Sequence, residues 1–103
     1  MFIRIGKAGK PSFQLRKNEE GLSVFDTMAV DPPLSDAEVL EAFRAESHLI
    51  FRSREEIEAK GLIVVPVSGG ASLPLRLREA HAEIRRGPNM TRGQFKKAIQ
   101  ELE

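Results

Sequence analysis

Alternation of apolar and polar residues marks three short extended segments near the start of the chain. They are residues 2–5 (FIRI), 12–16 (SFQLR) and 22–26 (LSVFD), which carry aromatic and β-branched side chains suited to a pleated surface. Stretches rich in glycine, lysine and asparagine separate them at 6–11 and 17–21. The pattern predicts a meander of two or three short strands.

Helices are predicted where Ser or Thr precedes Glu or Gln by three residues. This capping box occurs at Ser35 with Glu38, at Ser53 with Glu56 and at Thr91 with Gln94. Apolar residues at helical spacing follow the first and third boxes, and Gly61 is expected to end the second helix. The three boxes therefore predict three helices, one of them at the end of the chain.

The remaining segments predict further strands and one loop. Residues 62–67 (LIVVPV) are short and β-branched, which predicts a buried strand that Pro66 places at the end or edge of a ladder. Residues 67–72 (VSGGAS) predict a flexible loop. Residues 73–86 fit a period of two in two registers and are interpreted as strand over about 80–85. The fold class expected from these elements is a single α+β domain over residues 1–103 with about three helices.

Composition narrows the chemistry. The 103 residues include no cysteine and two histidines, so thiolate metal sites and disulfides are excluded and a histidine metal cage is not expected. Sixteen basic residues balance fifteen acidic ones, which argues against a general electrostatic grip on nucleic acid. No apolar run approaches the ~20 residues of a membrane span. The N-terminal residues MFIRIGKAGK lack the apolar region of a signal peptide, so a cytoplasmic protein is expected, and export by a machine that reads no such signal stays open.

Four polar residues are candidates for binding or catalysis. Arg16, on the polar face of a predicted strand, could bind a phosphate or carboxylate with its planar fork; an exposed, solvated arginine is the alternative. Ser23 has no adjacent histidine and no nucleophile elbow, so nucleophilic attack is not expected. Its hydroxyl could hydrogen-bond a ligand; an ordinary strand position is the alternative. His81 and Glu83 lie two apart and so share one face of a strand. They could donate and accept a proton, or form a surface pair worth under ~1 kcal/mol.

Two segments, taken together, resemble a family of toxins. GLSVFD at 21–26 and AHAEIRRGPNMTRGQF at 80–95 are similar to small type VI secretion effector toxins with an ADP-ribosyltransferase-like fold. Those toxins carry a G-[TS]-S-V-F-D segment, then H-[YA]-x-I, then P-x-M or P-M, then a C-terminal helix. Leu22 departs from the first pattern. The resemblance implies a small split or mixed β-sheet that binds NAD, as substrate, in a cleft.

The same resemblance implies roles for the four candidates. Arg16 would grip a phosphate or ribose of the dinucleotide, and Ser23 would hydrogen-bond beside the nicotinamide. His81 would lie close to the cleft as a catalytic residue, and Glu83 is the nearest candidate for the carboxylate that orients a ribose hydroxyl. The implied protein is a toxin that transfers ADP-ribose to a target in the cytoplasm and is neutralised by a cognate antitoxin or immunity protein.

Two other functions stay open from the residues themselves. Charges of both signs are interspersed, which suits a non-catalytic module that binds a protein, such as an antitoxin or immunity protein. His81 and the arginines near the C-terminus could instead serve an RNA-targeting toxin. The predicted helix period buries Phe95, the aromatic residue among those basic residues, so no stacking platform is expected and nucleic acid is not an expected partner.

Overall fold

One antiparallel sheet of five strands forms the centre of the fold. A computed structural model describes residues 1–43, 47–67, 69–70 and 72–103. The strands lie in the order β3-β1-β2-β5-β4, and every pairing is antiparallel. Their bounds are Phe2–Lys7 for β1, Leu22–Asp26 for β2, Ser47–Arg52 for β3, Ile63–Pro66 for β4 and His81–Arg85 for β5.

Four helices are present in the described part of the chain. They are α1 (Asp36–Glu41), α2 (Arg54–Glu58), α3 (Leu75–Ala80) and α4 (Arg92–Gln100). The three predicted capping boxes all form and begin α1, α2 and α4. The helix that the sequence did not predict is α3, which follows Pro74 without a side-chain cap. The α+β class is confirmed, with four helices rather than about three and an antiparallel rather than a mixed sheet.

Each face of the sheet carries its own hydrophobic core. The larger core is formed by residues from the sheet, the 12–16 segment, α2 and α4: Phe2, Phe13, Leu15, Leu22, Val24, Ile57, Leu62, Ala82, Ile84, Phe95, Ala98, Ile99 and Leu102. The smaller core joins the other face to α1 and α3: Ile3, Phe25, Leu34, Val39, Leu77 and Ala80. Since successive strand residues point to opposite faces, β1 and β2 contribute to both layers, with Phe2 and Val24 in the larger core and Ile3 and Phe25 in the smaller one.

The sheet opens between β1 and the central strand β2. Although β1 has six residues and β2 has five, they pair only through Phe2 with Asp26 and Ile3 with Phe25. Beyond Ile3, β1 continues to pair with β3, and β2 pairs with β5 from Leu22 onward. A gap therefore separates the two halves of the sheet from Arg4 to the end of β1.

The strand predicted at 12–16 does not form, although its alternation is real. Phe13 and Leu15 are buried while Gln14 and Arg16 are exposed, as a half-buried strand would have them. Side chains rather than a neighbouring strand satisfy the backbone here, because Phe13 N–H donates to Glu103 at 2.8 Å. The prediction was wrong in element type because periodicity reports burial and not hydrogen-bond partners.

Other predictions differ in detail from the structure. The strand β3, at 47–52, was missed, and its half-exposed side chains give a weak pattern. Strand β4 was predicted as buried but lies at the sheet edge, as Pro66 indicated, and Ile63 is 39% exposed. The strand predicted over 80–85 is confirmed as β5. Of the predicted 67–72 loop, Ser68 and Ala71 lie outside the described residues.

Candidate functional site

Ser23 and His81, which are 58 residues apart in sequence, meet on neighbouring strands. Ser23 Oγ lies 3.2 Å from His81 Nε2, within hydrogen-bond distance. The contact arises because β2 and β5 pair in antiparallel register, with Phe25 opposite His81 and Ser23 opposite Glu83. Either atom can donate the proton, depending on the tautomer of the imidazole.

Glu83 joins this pair on the same face of β5. Its Oε1 accepts hydrogen bonds from Arg85 Nε at 3.0 Å and Nη2 at 2.8 Å. The side chain lies over Gly21, where an added Cβ would be 2.8 Å from Glu83 Oε1. Only a residue without a side chain leaves this space, so Gly21 lets the carboxylate lie across the start of β2. Ser23, His81 and Glu83 are called the β2–β5 cluster below.

The imidazole of His81 is held by packing on one side. Its ring centroid lies 5.5 Å from that of Phe25, with the planes inclined by 32°. Its Nδ1 is buried, and no described residue forms a hydrogen bond with it. A hydrolytic triad needs a carboxylate on that nitrogen to orient the ring. The described residues therefore do not form a Ser-His-acid triad, although a histidine, which the sequence did not place beside Ser23, is its neighbour in the fold.

Arg4 occupies the gap in the sheet and was missed by the sequence predictions. Its Nη1 donates to the Ser23 carbonyl at 2.9 Å, and its Nε donates to the Ser12 carbonyl at 2.8 Å. The guanidinium thus bonds a β2 carbonyl at the point where β1 no longer pairs with β2. The alternation of FIRI marked Arg4 only as a polar strand position, and nothing in the sequence indicated the gap.

The charge of Arg4 is held in a partly desolvated place. Burial lowers the pKa of the Arg4 guanidinium, and the nearby positive charge of Arg16 also lowers it. The carboxylates of Glu19 and Glu103 act in the opposite direction and raise it. An anion brought to Arg4 would meet a cation with little competing water, which strengthens the attraction.

A basic cleft of about 670 Å³ begins at Arg4. Its described lining includes four cationic side chains and no carboxylate; the cations are Arg4, Lys7, Lys10 and Arg16. The ring of Phe43 also lines it. Volumes of this order are typical of sites for small organic ligands.

Arg16 therefore lies in the basic cleft and not in the β2–β5 cluster. It is in the irregular segment after β1 rather than on a strand, and its carbonyl accepts a hydrogen bond from Arg92 Nη2 at 3.2 Å. None of the three cluster residues is among the described residues that line the cleft. The structure thus brings three of the four sequence candidates together and places the fourth in an adjoining cleft.

Two sets of contacts connect the cleft to the cluster. Arg4 lines the cleft and hydrogen-bonds the backbone of Ser23. Phe43 also lines the cleft and packs edge-on against Phe25 at 5.9 Å, and Phe25 in turn packs against His81. A ligand in the cleft would contact Arg4, which bonds Ser23 directly, and Phe43, which reaches His81 through Phe25.

Among the described residues, no group of three or more His, Cys, Asp or Glu is placed to hold a metal ion. No helix in the described ranges is both long and apolar enough to cross a bilayer.

Comparison of the chain with protein-family models, curated proteins and solved structures finds no match. The function must therefore be argued from the geometry of the cluster and the cleft, with the toxin resemblance as an expectation.

Proposed function

We propose that the protein is a toxin of the ADP-ribosyltransferase type, which binds NAD and transfers ADP-ribose to a cellular target in the cytoplasm. The observation that carries the proposal is the convergence of Ser23, His81 and Glu83 beside a gap in the sheet that Arg4 occupies. A sheet that opens at its centre agrees with the split sheet expected from the resemblance. The proposed ADP-ribosyltransferase-like fold rests on this gap and on the two matched segments.

The proposed reaction divides the work between the cleft and the cluster. The bond between the nicotinamide nitrogen and ribose C1′ breaks, and nicotinamide leaves with the bonding electrons. A nucleophile of the target forms a bond to C1′ and gives up a proton. Positive charge develops on the ribose in between, so a nearby carboxylate stabilises the transition state. Glu83 would supply the negative charge of that carboxylate. It would also accept a hydrogen bond from a ribose hydroxyl, since its Oε2 takes no hydrogen bond from the described residues.

The cations of the cleft would hold the diphosphate. Arg16 retains its proposed role, and Arg4 joins it because its guanidinium keeps N–H groups beyond the two that bond Ser12 and Ser23. The Ser23 hydroxyl and His81 would hydrogen-bond the nicotinamide side. Such fixed donors raise the rate mainly by orienting the substrate before reaction.

The first experiment measures NAD binding and nicotinamide release by the purified protein. NAD should raise the melting temperature, because a ligand that binds only the folded state stabilises it. Glu83→Gln should reduce nicotinamide release by about a hundredfold or more, since it removes the carboxylate charge while keeping the side chain's shape. Arg16→Ala should instead weaken NAD binding.

Glu55→Gln is the matched control, because Glu55 is exposed on α2, on a different element from the cluster. It should leave both measurements unchanged. Expression in bacteria should arrest growth, and Glu83→Gln should restore it. A protein that shows no shift with NAD and no nicotinamide release, and that leaves growth normal, would contradict the proposal.

A toxin of this kind requires a neutralising partner, and we propose a cognate antitoxin or immunity protein that covers the cleft. The four cations of the cleft favour an acidic surface on that partner. Its complex should weaken when Arg16 and Lys10 are replaced by glutamate, which reverses the charge at the cleft.

A further inference from the structure

The positive charge of the molecule is unevenly distributed. The basic cleft holds more cations than the binding of one diphosphate requires. The chain as a whole carries a formal charge of only +1. The cleft concentrates four cations without a carboxylate among the described residues of its lining. Arg4 and Lys7 are three residues apart on β1, which separates them by about 10 Å along the strand. The cations therefore line a length of cleft rather than a single point.

An aromatic ring lies among these cations. Phe43 lines the same cleft and is half-buried, held from behind by its edge-on contact with Phe25 at 5.9 Å. Sites for single-stranded nucleic acid combine a basic groove with an aromatic ring on which a base stacks. Nothing in the sequence indicated this pairing, because Phe43 is distant along the chain from Lys7 and Lys10 and belongs to an apolar stripe at helical spacing.

We propose that the end of the cleft formed by Lys7, Lys10 and Phe43 binds single-stranded nucleic acid. The lysines contact successive phosphates, and the Phe43 ring stacks on a base. The binding itself stands apart from the proposed function.

The test is fluorescence anisotropy of short unstructured RNA and DNA oligonucleotides with the purified protein, without NAD. Affinity should fall with salt, because bound phosphates displace counterions. Lys7→Gln with Lys10→Gln should weaken binding and reduce the salt slope by about 1.4, at about 0.7 for each lost contact to a single strand. Phe43→Leu keeps an apolar side chain against Phe25 but removes the ring, and should weaken binding by roughly five-fold to a hundred-fold.

Lys96→Gln with Lys97→Gln is the matched control, since it removes the same charge from exposed positions on α4. It should leave binding and the salt slope nearly unchanged. Circular dichroism of each variant establishes that it is folded. Tighter binding of RNA than of DNA would assign the ribose 2′-hydroxyl a contact in the cleft. Equal binding would assign recognition to phosphates and bases alone.

Three results would overturn the proposal. One is the absence of oligonucleotide binding at low salt. Another is an equal loss in the α4 variant and the cleft variant, which would show a non-specific charge effect. The third is tight binding of poly-glutamate with none of either nucleic acid, which would assign the cleft to an acidic protein. Nicotinamide release measured in parallel separates these results from failure of the proposed function, because it requires no oligonucleotide.

Discussion

The position of Glu83 depends on the absence of a side chain at Gly21. Gly21 precedes β2, and an added Cβ there would lie 2.8 Å from Glu83 Oε1 and 3.2 Å from Glu83 Cβ. Arg85 then holds the carboxylate from the other side. Gly21 and Arg85 thus together position the Glu83 carboxylate on this face of β5.

Gly21→Ala should reduce the free energy of unfolding by about 1–2 kcal/mol, since the new methyl overpacks the contact with Glu83. The measurement is urea denaturation followed by circular dichroism. In the background of Glu83→Ala the same change should cost less, with a coupling of roughly 1 kcal/mol between the sites. Equal costs in both backgrounds would show that Glu83 is not what Gly21 accommodates.

Local sequence signals predicted the helices better than the sheet. Each capping box is complete within four residues, so Thr91 and Gln94 predict α4 from local sequence alone. The conformation of the segment at 12–16 depends on a contact 90 residues away in sequence, because Glu103 accepts a hydrogen bond from the Phe13 N–H. In the candidate site, His81 and Glu83 could be paired from their spacing, but the contact with Ser23 depends on strand register. Arg4 could not be found, because its role exists only where β1 and β2 separate.

Two connections pack against each other through glycines. Gly61, at φ +80° in the turn after α2, directs its carbonyl oxygen to Gly87, in the turn after β5. A Cβ on Gly87 would lie 2.0 Å from that oxygen, which belongs to backbone and cannot rotate away. The close approach continues the antiparallel register of β4 and β5, in which Ile63 pairs with Arg85.

Gly87→Ala should therefore destabilise the protein by more than about 2 kcal/mol, since the two turns must move apart. Gly93→Ala is the contrasting variant. Gly93 lies within α4, and the nearest atom to an added Cβ is Thr91 Oγ1 at 4.0 Å. Alanine there should stabilise by about 0.5–1 kcal/mol, because it lowers the entropy cost of the helix. Thermal unfolding of both variants tests these two opposite predictions, and similar melting temperatures for the two variants would contradict them.

An ion pair between Glu38 of α1 and Arg76 of α3 joins these two helices and responds to acid. Arg76 Nε donates to Glu38 Oε1 at 2.8 Å, and Arg76 also bonds the carbonyl of Pro32. The hydrogen bond from Arg76 lowers the pKa of Glu38 from 4.5 to about 2, and a backbone hydrogen bond from Ser35 lowers it as well. Glu38 thus serves both the capping box of α1 and the contact with α3.

The stability of the whole fold should therefore decline in a defined acid range. Because the folded-state pKa is depressed, the contribution of Glu38 is fully present above about pH 4.5 and is lost as the pH falls to about 2. Melting temperatures across that range should fall less steeply for Glu38→Gln than for the unaltered protein. Glu55→Gln, at an exposed position on α2, should leave the slope unchanged. Parallel curves for Glu38→Gln and the unaltered protein would contradict the assignment.

The strand order also determines when the candidate site can first exist. Arg4 and Ser23 leave the ribosome early, but the strand that pairs with Ser23 across β2 is β5, which ends at Arg85. Until β5 has emerged, a nascent chain has neither His81 nor Glu83 to set against Ser23. A translation product cut short before that point carries the cations and the hydroxyl without the imidazole or the carboxylate, so incomplete synthesis yields no assembled site.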